Sequence, residues 1–308
     1  MQGMLAPSLV AGRLDRFLAG HPDATTPFLV VDLDVVRRQY VSLTAALPGT
    51  EVFYAVKANP APEVLSLLIK LGSNFDVASR GEIELCLGLG ADPARLSYGN
   101  TVKKERDVAA AYRGGVRLFT VDSQPELDKV LRTVASGTVF VRIAADGAGA
   151  DWPLSRKFGC TVGEAGQMLL QAARAGLQVG VSFHVGSQQR NPGAWDRPLG
   201  QVAQLARRLA AEGHELAGVN LGGGLPSRHV DPTADIETYS EAIARSVATH
   251  LGPQFGGLMI VEPGRYLAGD AGVIRTEVVQ IVRRASDPGR RWVFLDVGLF
   301  NGWLGRSH

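Results

Sequence analysis

Short apolar segments alternate with longer amphipathic segments along most of the chain. The apolar segments are rich in Val, Ile and Leu, which is typical of buried strands. They predict strands at Val52–Lys57, Asn74–Val77, Leu96–Gly99, Leu118–Asp122, Val139–Ala144, Val179–Val185, Gly218–Leu221 and Leu258–Glu262. Helical periodicity between them predicts helices at Pro60–Leu71, Arg80–Leu89, Pro125–Val134, Val162–Ala175, Pro198–Ala211 and Ile236–His250. Glycines stand where a left-handed residue would close several of these helices, at Gly72, Gly90, Gly176 and Gly213.

Strands that alternate with helices pair in parallel, so the pattern predicts an α/β fold. Eight such units over about 210 residues match the usual size of a (β/α)8, TIM-like barrel. A doubly wound open sheet is the alternative, but it carries its glycine-rich phosphate turn after an early strand. Here the glycine run Gly222–Gly224 follows the seventh predicted strand, which favours the barrel.

The pattern changes after Glu262. Val273–Val282 alternates like an exposed strand, and Arg291–Val297 predicts another strand beyond a polar turn at Ser286–Arg290. We therefore predict a barrel over residues 28–266 and the start of an incomplete β domain over residues 267–308. Residues 1–27 form an N-terminal segment, and whether it packs with the β domain stays open.

Composition excludes several classes of protein. The chain has 308 residues, is 45% hydrophobic and carries a net charge of +2 from dispersed residues, so we expect no nucleic-acid partner. No segment approaches the roughly 20 apolar residues that cross a bilayer, and no signal peptide is evident. Two cysteines without a motif, Cys86 and Cys160, fit a reducing compartment and no metal site. We expect a soluble, cytoplasmic protein.

The segment Phe53-Tyr-Ala-Val-Lys57-Ala-Asn-Pro60 ends the first barrel strand with a lysine. Barrel enzymes place their reacting groups at this C-terminal rim. Desolvation there is expected to lower the pKa of Lys57 and favour Schiff-base chemistry. The alternative is a lysine that extends to solvent at a strand end.

Three later segments carry further candidate chemistry. Gly222–Gly224 is a candidate phosphate loop or a flexible βα loop. Glu262 and Arg265 follow the eighth strand. They are either a carboxylate and an anion-binding guanidinium at the barrel mouth, or an exposed ion pair on a turn. His184, in Ser182-Phe-His184-Val-Gly-Ser187-Gln188, is a site residue or a satisfied core histidine.

Taken in order, these motifs resemble those of the fold-type III decarboxylases that depend on pyridoxal 5'-phosphate (PLP), whose barrel is alanine racemase-like. The matching motifs are Tyr-Ala-Val-Lys-Ala-Asn, His-Val-Gly-Ser, Gly-Gly-Gly and Glu-Pro-Gly-Arg. The family includes ornithine, lysine, arginine and diaminopimelate decarboxylases. The resemblance runs from about Phe28 to Phe300.

The resemblance implies a role for each matching residue. Lys57 would bind PLP as a Schiff base, Glu262 would pair with the pyridine nitrogen, and His184 would stack on the ring. The phosphate would be held by Ser187, Gly222, Gly223, Gly224, Gly264 and Arg265. Asp76, Glu82 and Arg142 match further active-site positions; Asp76 is expected to be catalytic and Arg142 to bind the cofactor. Lys157 matches a position in a barrel-rim loop. A carboxylate at the ring nitrogen favours carbanion chemistry, whereas the racemases place an arginine there.

The implied function is decarboxylation of a basic amino acid, ornithine or lysine, by a homodimer. Diaminopimelate decarboxylation is the alternative that Gln188 favours. The segment Asn301–His308 matches no family pattern, and the family's C-terminal Cys-Asp segment and tyrosine are not found. We therefore expect self-association and activity reduced about a hundredfold. A non-catalytic PLP carrier and a regulatory pseudoenzyme stay open.

Overall fold

The computed structural model describes residues 7–154, 157–228, 232–252 and 254–298. Phe300, the segment 301–308 and Arg156 of the rim loop lie outside these described residues. The strands are β1 (Phe28–Val31), β2 (Thr50–Ala55), β3 (Asn74–Val77), β4 (Leu96–Tyr98), β5 (Leu118–Val121), β6 (Thr138–Arg142), β7 (Ala150–Trp152), β8 (Gln178–Ser182), β9 (Ser187–Gln189), β10 (Gly218–Asn220), β11 (Leu258–Val261), β12 (Gly272–Arg275), β13 (Val278–Arg284) and β14 (Asp287–Leu295). The helices are α1 (Pro7–Ala19), α2 (Leu33–Ala46), α3 (Pro62–Lys70), α4 (Arg80–Gly88), α5 (Glu105–Arg113), α6 (Gln124–Thr133), α7 (Val162–Arg174), α8 (Asp196–Ala211), α9 (Ile236–Leu251) and α10 (Arg265–Ala268).

Residues 36–270 form one compact unit built around a closed parallel barrel. The barrel strands follow the order β2, β3, β4, β5, β6, β8, β10, β11, and β11 pairs with β2 to close the ring. Its interior is filled by apolar side chains such as Phe53, Phe140 and Ile260. The barrel predicted from the hydrophobic pattern is confirmed.

Most predicted barrel strands extend past the point at which pairing stops. β2 ends at Ala55, β8 at Ser182 and β11 at Val261. Lys57 therefore lies in a short 3-10 turn, and His184 and Glu262 lie in loops just beyond their strands. The chain leaves the strand ladder where its side chains turn toward the C-terminal mouth, the face on which barrel enzymes build their sites.

The glycines predicted to close helices adopt the expected conformation. Gly72, Gly90, Gly176 and Gly213 have φ angles of 81°, 90°, 85° and 78°. These angles lie in the left-handed region, which glycine enters without steric cost. The pattern thus predicted the helix ends to within a few residues.

Of the described residues, the second unit contains 7–35 and 271–298. In it β1 pairs antiparallel with β12, and β13 pairs antiparallel with β14. The single strand predicted over Val273–Val282 is wrong, because Thr276 and Glu277 leave the ladder and donate hydrogen bonds to Asp296 Oδ1. The domain boundaries proposed from the sequence stay a prediction.

The polar turn predicted at Ser286–Arg290 is also misplaced. The turn is at residues 285–286, and Asp287 already belongs to β14. Asp287 pairs with Arg284 and Arg291 pairs with Arg283, so residues 288–290 form an irregularity within the strand. Proline in a sheet is commonly found at such a bulge, which accounts for Pro288 there.

A buried lysine ties the loop after β4 to β5 and α6. Lys103 Nζ donates to Thr120 O at 2.6 Å and to Asn100 O at 2.8 Å, and it lies 3.0 Å from Glu126 Oε1. The side chains of Lys103 and Glu126 are 0% and 3% exposed. Burial lowers the pKa of Lys103 to about 8. Glu126 therefore neutralises a charge that has no access to water.

We expect Glu126→Gln to lower the free energy of unfolding by about 3 kcal/mol, because it leaves a buried ammonium without its counter-ion. Urea denaturation measures the change. Glu105→Gln is the matched control, since Glu105 also lies in the first turn of a helix but pairs with Arg132 in solvent. An equal loss in the two variants would contradict the role given to the Lys103–Glu126 pair.

Candidate active site

Lys57 and Asp76 meet at the mouth of the barrel. They stand at the ends of adjacent strands, where Ala55 of β2 is in register with Asp76 of β3. Lys57 Nζ lies 3.4 Å from Asp76 Oδ2. The Asp76 side chain is 4% exposed, whereas that of Lys57 is 62% exposed and faces the open mouth. A buried carboxylate therefore anchors a lysine whose flank stays accessible.

The direction of the Lys57 pKa shift differs from the sequence-based expectation. The charge of Asp76 raises the pKa of Lys57, and this effect outweighs the opposing desolvation. Glu262 raises the pKa further, while Arg142 lowers it. The expected lowering was wrong because desolvation was considered without the carboxylates that the barrel brings together.

Glu262 lies directly after β11 and is half-buried beside Asn220. Asn220 Nδ2 donates to Glu262 Oε1 at 2.6 Å. Burial, followed by the charge of Asp76, raises the pKa of Glu262 to about 7. The carboxyl group therefore holds its proton more tightly than an ordinary carboxyl group, and a cation placed against it would favour the charged form.

Arg142 ends β6 and faces the same group of charges. Desolvation lowers its pKa, and the charges of Glu262, Asp122 and Asp76 oppose that shift. Its guanidinium carbon lies 5.0 Å from the centre of the Phe158 ring. Lys157 Nζ lies 4.9 Å from the same ring, and the side chain of Lys157 is exposed.

His184 is a neutral ring in this environment. Burial, followed by the charges of Arg142 and Lys57, lowers its pKa to about 3. Its Nδ1 accepts a hydrogen bond from the Gly186 amide at 3.0 Å, which assigns the ring proton to Nε2. A Cβ atom at Gly223 would lie 2.9 Å from that Nε2. A side chain at position 223 would therefore crowd the imidazole, and glycine avoids that contact.

Glu82 supports the site from the start of α4. Its Oε2 accepts from the Ala78 amide at 2.7 Å, and burial raises its pKa. The charges of Asp76 and Lys57 also act on this carboxyl group. The sequence-predicted residues Lys57, Asp76, Glu82, Arg142, His184 and Glu262 are thus coupled to one another at one mouth.

Three further segments form a cradle of backbone and cationic groups, here called the anion cradle: Gly222–Gly224, Ser187 on β9, and Gly264-Arg265. The Gly222 amide already donates to Asn220 Oδ1 at 2.9 Å, so Gly223 and Gly224 are the glycines whose amides suit an anion. Ser187 pairs with Trp152 in the β7–β9 ribbon. Each segment follows a strand on the C-terminal face, where barrels bind phosphate.

Arg265 stands over an aromatic ring at this cradle. Its guanidinium carbon lies 4.3 Å from the centre of the Trp152 ring. Burial lowers the pKa of Arg265. Among the described residues its buried Nε has no hydrogen-bond partner. A polar atom in that position is suited to an anionic ligand.

The arrangement fits a phosphate-bearing aromatic aldehyde. It offers a primary amine at Lys57, a carboxyl group at Glu262 that would ionise beside a ring cation, and a neutral His184 ring. The glycine at position 223 keeps space that a side chain would fill. Asp76 Oδ1 and Arg265 Nε are buried without a partner among the described residues. No group of three or more His, Cys, Asp or Glu in the described ranges is placed to hold a metal ion.

Several residues of the site were not predicted from the sequence. Asn220 holds both Glu262 and the Gly222 amide. Trp152 and Phe158 stack on the cationic groups of Arg265 and Arg142. A polar residue that ends an apolar strand two positions before three glycines could have indicated Asn220. No comparable pattern surrounds the two aromatic residues.

The comparisons with known proteins agree with this site. Residues 33–269 match the family model described as the pyridoxal binding domain of pyridoxal-dependent decarboxylases. The lysine/ornithine decarboxylase of Selenomonas ruminantium is 40% identical over 290 residues, which cover 91% of this chain and 70% of that enzyme. Antizyme inhibitor 2 of Xenopus laevis is 34% identical over 258 residues, covering 82% of this chain and 55% of that protein.

A solved structure is similar over almost the whole chain. The structure of SrLDC in complex with PLP and cadaverine superposes with a TM-score of 0.80 at 35% identity, covering 96% of this chain and 73% of that one. No described helix is long and apolar enough to pass through a membrane. The chain belongs to the family of pyridoxal-dependent decarboxylases, and its cofactor is pyridoxal 5'-phosphate.

Proposed function

We propose that this chain catalyses the decarboxylation of a basic amino acid, lysine or ornithine, to the corresponding amine and CO2. The observation that supports this most strongly is the group formed by Lys57, Asp76, Arg142 and Glu262 beside a neutral His184. The chain spans only part of the length of its relatives, so their activities come to it as a proposal.

PLP, when bound, supplies an electron sink for the electron pair that remains when CO2 leaves. Lys57 is the residue that attaches the cofactor, since its amine faces the mouth beside Asp76. The Asp76 carboxylate keeps Lys57 Nζ in place and favours its protonated state whenever the amine is free. Lys57 can therefore hold a proton close to the reacting atoms.

Glu262 acts on the pyridine nitrogen. Its pKa of about 7 without a neighbouring ring cation means that pairing with a protonated nitrogen ionises it. Asn220 holds Oε1 and orients the carboxylate. A charge pair that is partly shielded from water would stabilise the protonated ring more strongly than the same pair in solvent.

His184 and the anion cradle orient the cofactor. A neutral imidazole offers a flat apolar face without adding charge to the electron sink. Gly223, Gly224, Ser187, Gly264 and Arg265 hold the phosphate, while Gly222 keeps Asn220 in place. The contact with Trp152 holds the Arg265 guanidinium in place over the ring.

Lysine and ornithine are favoured over diaminopimelate. The lysine/ornithine decarboxylase of Selenomonas ruminantium is named for both basic amino acids, and SrLDC was solved with the diamine cadaverine. The only feature that favoured diaminopimelate was Gln188, and its side chain makes structural hydrogen bonds to Ser227. The predicted homodimer and cytoplasmic location stay predictions.

A regulatory function without catalysis is the second candidate. Antizyme inhibitor 2 is similar to this chain over 258 residues, which supports it. The geometry favours catalysis instead, since Lys57, His184, Asp76 and Glu262 are all present and electrostatically coupled. A stable complex with a full-length relative, combined with no turnover, would support the regulatory function.

The proposed activity is tested by incubating the purified chain with PLP and lysine, ornithine, arginine or diaminopimelate in separate reactions. We expect CO2 and the matching amine from lysine or ornithine, because Lys57, Asp76 and Glu262 lie together at the mouth of the barrel. Lys57→Ala is the control for background release. Product formed only with diaminopimelate, or no product with any of the four amino acids, would contradict the proposal.

The attachment of the cofactor is tested separately. Borohydride fixes a lysine–PLP bond as a stable secondary amine, and peptide mapping should then locate the pyridoxyl group on Lys57. Lys57→Arg should abolish the label, because arginine retains the charge facing Asp76 but lacks a nucleophilic amine. Lys157→Arg, at an exposed rim position, should leave the label unchanged. A label on another lysine of the parent chain would overturn the assignment.

A further inference from the structure

Gln188 has an unusual backbone conformation. Its φ is +52°, and among the described residues it is the only one other than glycine with a positive φ. A residue with a Cβ atom enters this left-handed region rarely, and a buried side chain can compensate for it. The Gln188 side chain is buried, with 1% of the residue exposed.

The side-chain amide of Gln188 makes two hydrogen bonds with Ser227. Its Nε2 donates to Ser227 O at 2.7 Å, and its Oε1 accepts from the Ser227 amide at 3.2 Å. A primary amide can donate and accept at the same time, so it satisfies both backbone groups of Ser227 in the interior. Ser227 is 5% exposed, and water is a poor substitute there.

Ser227 is the point where the three segments of the anion cradle meet. It follows the glycines of the first segment, and Gln188 follows Ser187 of the second. On its other side, a Cβ atom at Gly269 would lie 2.8 Å from Ser227 Cβ and 3.3 Å from Arg265 Cγ. Ser227 thus stands between Gln188 and the helix that carries Arg265.

A second contact joins the first two segments through the backbone. The backbone amide of Gln189 donates to Gly224 O at 2.9 Å. The Gln189 side chain does not reach across, because its Nε2 donates to Val185 O and Ala148 O. The side-chain tie between the segments is therefore the one that Gln188 makes.

We propose that Gln188 is a positioning residue, whose amide sets the separation of the three segments and thereby the affinity for the phosphate of PLP. The inference rests on the proposed function, because it takes the anion cradle as the phosphate site. The Gln188 side chain bonds to Ser227, so it acts through Ser227 and the loops that Ser227 joins.

The test compares PLP with pyridoxal, which has the same ring and aldehyde but no phosphate. Gln188→Met retains most of the side-chain volume and removes both hydrogen bonds. The dissociation constants of PLP and pyridoxal are measured by absorbance on the full chain after removal of bound cofactor. Gln167→Met is the matched control, since Gln167 is exposed on α7. Thermal unfolding of each protein reports whether the variants fold.

We expect Gln188→Met to weaken PLP binding at least about tenfold, since two buried backbone groups lose their partners and the loops separate. Pyridoxal affinity should stay within about twofold of the parent, because the ring contacts at Lys57, His184 and Glu262 are untouched. Gln188→Gly relieves the backbone strain but removes the amide, and it should show the same selective loss. Gln167→Met should bind both ligands as the parent does.

Other outcomes separate the two proposals. A parent chain that binds PLP through Lys57, with a Gln188→Met variant of equal PLP affinity, would overturn the role of Gln188 alone. Equal losses for PLP and pyridoxal would show general damage to the site and would overturn it too. A parent that binds no PLP would overturn the proposed function and this inference together.

Discussion

The close approach of Lys57 to Asp76 is the interaction on which the rest of the site depends. Asp76 is almost fully buried, and an uncompensated carboxylate there would be strongly unfavourable. Lys57 provides the compensating charge, and Arg142 and Glu262 adjust the balance on either side. Because each group lies at the end of a different strand, closure of the barrel is what brings the charges together.

Side chains also hold the segments of the anion cradle, because they bond to the backbone groups of these loops. Where these loops lie outside a strand ladder, side chains satisfy some of their amides and carbonyls. Asn220 does this for Gly222, and Gln188 does it for Ser227. In both cases a primary amide takes the place of a strand partner.

The sequence predicted the barrel and the principal site residues for different reasons. Hydrophobic periodicity is a local property, so it located the eight barrel strands and the helix ends closed by glycines such as Gly72. The ordered motifs located Lys57, His184 and Glu262, whose roles stay predictions. The sign of the Lys57 pKa shift depends on Asp76, which lies on a neighbouring strand and becomes a partner only through the register of β2 and β3.

Other features were missed because they arise from contacts between distant segments. The β7–β9 ribbon pairs two short segments, and neither has the length or alternation of a strand when taken alone. The contact between Arg265 and Trp152 also joins two loops. Near Pro288, proline and glycine indicated a turn, whereas the antiparallel pairing accommodates them as an irregularity in β14.

The central claim is that the fold holds Glu262 as a half-buried carboxyl group ready to pair with a ring cation, and the stability of the protein without cofactor tests this most directly. Its pKa is raised from 4.5 to about 7, so the folded state binds the proton more tightly than the unfolded state does. The associated stability is present at low pH and is lost as pH rises through about 7. Thermal unfolding of the parent and of Glu262→Gln is measured from pH 4.5 to above pH 7. The parent should lose stability relative to the variant as the pH rises, and the difference should level off above neutral pH. A difference between the two proteins that stays constant with pH would contradict the account.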